Sequence, residues 1–139
     1  MFEALANYFG GGTLFARSGG SAPVDRVHPL TLKFLTEAGI PTAGLRSQSW
    51  QDIGDFQPDL VITVCDSAAS ETCPLILADI PSVHWGLKDP SRREGCAEEV
   101  ALAFRDTITE IRNRVETLLQ MPLDQMDGSE LAVAISSRL

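Results

Sequence analysis

Three cysteines, two histidines and one Asp-Pro pair hold most of the reactive groups in these 139 residues. Cys65 ends an apolar run, Cys73 follows after seven intervening residues, and Cys96 stands by itself. An odd number of thiols makes a poor disulfide framework. His28 and His84 sit far from any Cys-x-x-Cys pair, so no zinc spacing exists, and neither a metal nor a cofactor is expected. His28 precedes a proline at a helix start and His84 ends a strand beside Trp85, which are capping and packing positions. Asp89, followed by Pro90, reads on its residue types as a turn or helix cap. Cys96 falls in a polar helix start and reads as a bystander.

The elements that must position these groups alternate between helix and strand. Residues 1–9 carry apolar side chains at helical spacing, and Gly10-Gly11-Gly12 stops them. Residues 13–18 are expected to form a short strand. His28-Pro29 opens a second helix with Leu30, Phe34, Leu35 and Ala38 on one face and Gly39 past its end. Ser47 to Trp50 precedes a short helical stretch reaching Asp55. Residues 60–65, Leu-Val-Ile-Thr-Val-Cys, are the clearest strand, apolar at nearly every position as a doubly covered parallel strand would be. A weaker strand is expected at 81–85 and the longest helix at 97–119, with Pro122 breaking it. A short terminal helix follows, capped by Asp127 or Ser129. This order predicts an α/β fold with an open parallel sheet and helices on both faces. Functional groups in such sheets lie beyond the carboxyl ends of the strands. That edge carries Cys65 and Asp66, Gly86 to Asp89, and Ser18-Gly19.

Composition removes several classes of function. With 44% hydrophobic and 22% charged residues the chain is an ordinary globular one. No apolar run approaches the ~20 residues of a membrane span, and no signal peptide opens it, so no membrane partner and a cytoplasmic location are expected. The net charge of −8 and the scattered basic residues argue against nucleic acid, whose phosphates need a clustered positive face.

Five segments in order give a more specific reading: Val27-His28-Pro29-Leu30, Gly44 to Ser49, Val61 to Asp66, Cys73-Pro74, and His84-Trp85-Gly86-Leu87-Lys88-Asp89-Pro90. With these intervals the chain resembles the arsenate reductase branch of the low-molecular-weight protein tyrosine phosphatase family. The resemblance implies arsenate reduction through a cysteine–arsenate adduct, formed by a thiolate in a Cys-x5-Arg loop and resolved by further thiols. It makes Asp89 the general acid, Cys65 and Cys73 the redox thiols, and thioredoxin or glutaredoxin the reductant class. It also aligns Glu3 and Ser18 with positions that help hold a monovalent cation in some relatives. Residues 1–121 are expected to be the phosphatase-like domain and 122–139 a C-terminal helical extension.

One departure stands against that activity. Six residues after Cys65, Cys73 and Cys96 stand Glu71, Asp79 and Leu102, so no Cys-x5-Arg exists in the sequence. The resemblance therefore implies an N-terminally truncated domain, without nucleophile or anion cradle, which would take arsenate or phosphate only if the loop were supplied. The missing strand would be central, leaving residues 13–18 and 60–65 to pair directly, to accept a second chain, or to await an upstream segment. Two further readings compete: a non-catalytic homologue that binds a partner or forms a homodimer, and a dithiol redox module using Cys65 and Cys73.

Overall fold

The computed structural model describes residues 1–65 and 79–138. Helix α1 spans Phe2–Gly10 and ends at Gly11, whose φ of 56° and ψ of 31° are left-handed values that glycine adopts without strain. Helix α2 spans Pro29–Glu37, with His28 as its cap: the imidazole Nδ1 accepts from the Leu30 N–H at 3.2 Å. Proline fits the first helical position because its absent N–H would have no intrahelical partner there. Ser49 caps a single 3₁₀ turn at Trp50–Ile53.

The described sheet has two parallel strands, β1 at Val61–Thr63 and β2 at Ser82–His84, in the register Val61↔Ser82, Ile62↔Val83 and Thr63↔His84. Val83 and Trp85 are buried, whereas Ser82 and His84 on the opposite face are exposed. Strand β1 is half-buried throughout, less covered than its apolar sequence predicts. Among the described residues it pairs with β2 alone.

The long helix α3 spans Ala97–Leu119, and α4 spans Gly128–Ser136. Phe104, Ile111, Val115 and Leu118 recur at helical spacing and form the buried stripe of α3. Ile111 and Val115 join Leu5 of α1 and Leu35 of α2 in one cluster, while Leu118 joins Val83, Trp85, Met121 and Ile135 in a second. Phe34 stacks on Phe104 with ring centroids 5.0 Å apart. Full burial of side chains this size contributes roughly 1.5–3 kcal/mol each. Asp127, rather than Ser129, caps α4, accepting from the N–H groups of Ser129 and Glu130 at 2.8 and 2.9 Å. Ile135 then seats α4 over β2.

The strand expected at 13–18 does not form, and these residues do not pair with β1. Side chains meet their backbone instead. The Asn7 amide donates to the Ala16 carbonyl at 3.0 Å and accepts from its N–H at 2.7 Å. Glu3 accepts from the Ser18 N–H at 2.9 Å, and Gln48 donates to the Ser18 carbonyl at 2.9 Å. Leu14 and Ala16 pack against the α1 cluster, while Phe15 between them is exposed.

Candidate functional site

The carboxyl ends of β1 and β2 stay joined past the strands themselves. Trp85 N–H donates to Thr63 O and Leu87 N–H to Val64 O, both at 2.7 Å. These bonds hold the segment leading to Asp89 beside the one leading to Cys65. Cys65 is exposed. Asp66 and Cys73 lie outside the described residues, as does the spacing between the two thiols. Thr63 Oγ1 and His84 Nδ1, partners in register, are 2.9 Å apart at the same edge.

Asp89 caps a 3₁₀ turn at Pro90–Arg92. Its Oδ1 accepts from the N–H and the hydroxyl of Ser91 at 2.9 and 2.6 Å, and its Oδ2 lies 3.5 Å from Arg92 Nε. The carboxylate side chain keeps 48% of its surface exposed. It is therefore oriented by its own turn and accessible to a solute.

Ser18-Gly19 does not join this group. Ser18 belongs to a separate network in which the buried Glu3 carboxylate accepts from both its N–H and its hydroxyl. Arg17 Nη1 stands 4.0 Å from the other Glu3 oxygen, so protein donors already serve that carboxylate. Among the described residues no group of three or more His, Cys, Asp or Glu is arranged to hold a metal ion. Cys96 caps α3, and its N–H donates to Glu99 Oε2 at 2.9 Å. That bond, then the Cys96 side chain and Arg93, hold the Glu99 carboxyl below its ordinary value of 4.5.

Arg114 was not singled out by its sequence position, one polar residue among many between the apolar positions of α3. Its guanidinium donates to the carbonyls of Trp85 and Gly86 at 2.8 and 3.3 Å and pairs with Glu110. It also lies over the Trp85 ring, 5.4 Å from the centroid. The Glu110–Arg114 spacing of four was the one trace of this in the sequence. A cleft of about 310 Å³ between Trp85, Arg114, Ile135 and Arg138 includes neither Cys65 nor Asp89 in its lining.

Comparison with known proteins agrees with this geometry. The profile of the low molecular weight phosphotyrosine protein phosphatase family matches residues 1–127. Arsenate reductase of Halalkalibacterium halodurans is 34% identical over 94 residues, 68% of this chain and 67% of that protein. Arsenate reductase of Bacillus subtilis is 32% identical over 90 residues, covering 65% of this chain and 64% of its own. The chain thus matches about two thirds of the length of these relatives. A solved arsenate reductase in the phosphate-binding state superposes with a TM-score of 0.67 at 25% identity, over 86% of this chain and 85% of that one. No described helix is long and apolar enough to cross a membrane. The chain belongs to the low molecular weight phosphotyrosine protein phosphatase family, and within it is arsenate reductase-like.

Proposed function

We propose that this chain supplies the proton donor and the reducing thiols for arsenate reduction, with Asp89 as general acid and Cys65 and Cys73 as the redox pair. The observation that carries the reading is the Leu87 N–H to Val64 O bond. It keeps the Asp89 segment and the exposed Cys65 side by side at one edge of the sheet. A phosphoester needs an acid but no redox thiols, so the paired cysteines favour arsenate. In this reading a Cys-x5-Arg thiolate displaces water from arsenate, Asp89 protonates the departing oxygen, and further thiols supply the two electrons that release arsenite. The oxidised thiols return through a dithiol reductant of the thioredoxin or glutaredoxin class, in keeping with a relative named glutaredoxin arsenate reductase from Synechocystis sp.. A reducing cytoplasm suits such thiols. Residues 1–121 act as the domain and 122–139 as the extension that covers β2.

The 139 residues contain no Cys-x5-Arg, so the purified chain is expected to reduce no arsenate and to cleave no p-nitrophenyl phosphate. Measurable turnover would overturn the assignment. Reading the coding DNA ahead of Met1 for an in-frame Cys-x5-Arg tests where the nucleophile comes from. The second reading, a binding or dimerising homologue, draws on the edge of β1 left without a strand among the described residues. A dimer in sedimentation, with no activity and no upstream loop, would favour it.

A further inference from the structure

We infer that Arg114 is the positioning residue for the Asp89 segment, anchoring it from α3 through the carbonyls of Trp85 and Gly86. The inference rests on the reading of Asp89 as acid. Strand β2 ends at His84, and the chain then crosses four residues before Asp89. On one side that crossing is fixed by the Trp85 and Leu87 N–H bonds to Thr63, the last residue of β1, and to Val64 just past it. On the other side Trp85 O and Gly86 O accept from two different nitrogens of one guanidinium. The planar fork of arginine serves two adjacent carbonyls, a part-buried one at Trp85 and an exposed one at Gly86, in a fixed geometry that an ammonium cannot reproduce. Glu110 holds the guanidinium from one turn below, and Trp85 lies against its face. The Arg114 side chain is only 20% exposed, so solvent does not compete freely for these donors. Ile111, Val115 and Leu118, buried to either side along α3, fix the helix from which Arg114 reaches.

The test is residue-resolved hydrogen exchange and amide chemical shifts on the 139-residue chain and its Arg114→Lys variant. Lysine keeps a charge beside Glu110 and over Trp85 but cannot serve both carbonyls. The Trp85 and Leu87 amides are expected to exchange about tenfold faster. The Ser91 amide, which reports on Asp89 Oδ1, is expected to shift, while Leu5 and Val115 keep their protection. Unchanged exchange at Trp85 and Leu87, or a uniform loss at all amides, would overturn the positioning role. Should the lysine variant not fold, Glu110→Gln loosens the same guanidinium, with about threefold faster exchange expected at Trp85 and Leu87 only. No local change there counts equally against the proposal. Asp89→Asn separates the two ideas, since an amide oxygen still caps Ser91 and leaves the anchoring intact while proton donation is lost.

Discussion

At the scale of single residues, Asp89 caps its turn, and substitution can separate that task from the proton donation proposed for it. Asparagine keeps an oxygen for the Ser91 N–H, so Asp89→Asn should leave the melting temperature nearly unchanged. In a protein that joins these residues to a Cys-x5-Arg loop, it should lower turnover by about 10²–10⁴-fold through loss of the acid. Asp89→Ala removes the cap as well and adds a cost of about 0.5–2 kcal/mol in thermal unfolding. Equal turnover in Asp89→Asn and the parent would remove Asp89 from the chemistry. Asp89 was legible in the sequence because Asp-Pro is a local signal with a local cause. The strand ahead of Cys65 was legible, although it ends at Thr63, two residues before the thiol; the exposure of Cys65 was not, since that depends on what the rest of the chain lays over it. Arg114 was hidden for a related reason: its partners are 28 and 29 residues away and are backbone atoms, which leave no trace in residue type.

Elements were read well where their signals are local. The long helix has its predicted bounds, and α2 has the expected histidine before proline. Residues 13–18 were expected as a short strand, yet a strand exists only where another strand supplies its bonds. Here the side chains of Glu3, Asn7 and Gln48 supply them. The start of α3 carries a pH-dependent cap. Glu99 accepts from the Cys96 N–H, and its folded pKa is depressed, so its contribution is fully present above the ordinary value of 4.5. That contribution fades as pH falls through the lower folded value. The difference in α3 stability between the parent and Glu99→Ala is therefore expected to be constant at neutral pH and to vanish on acidification. Melts followed by circular dichroism between about pH 6 and about pH 3 would show it. A difference that grows as pH falls would contradict the cap.

For the molecule as a whole, the start of the C-terminal helix lies against the backbone just ahead of the two strands. A Cβ added at Gly128 would stand 1.9 Å from the Asp59 carbonyl oxygen and 3.3 Å from Pro81 Cγ. Gly128→Ala should displace α4 from β2 and lower stability by roughly 1–3 kcal/mol, read by denaturant unfolding together with exposure of Trp85. A silent substitution would mean that residues 122–139 are a loose appendage. The sequence announced this helix through Asp127 and Pro122 but not its seat, because a glycine chosen for closeness looks like a glycine chosen for a turn. The two clusters meet along α3 as well: Ile111 and Val115 turn toward α1 and α2, Leu118 toward β2 and α4, and Arg114 holds the Trp85 and Gly86 carbonyls between them. An α-helix advances about 100° per residue, so a twist that slips one of these side chains drags the others with it. Helix α3 is thus a common axle, and loosened packing at the far end of the protein is expected to slacken the segment that leads to Asp89.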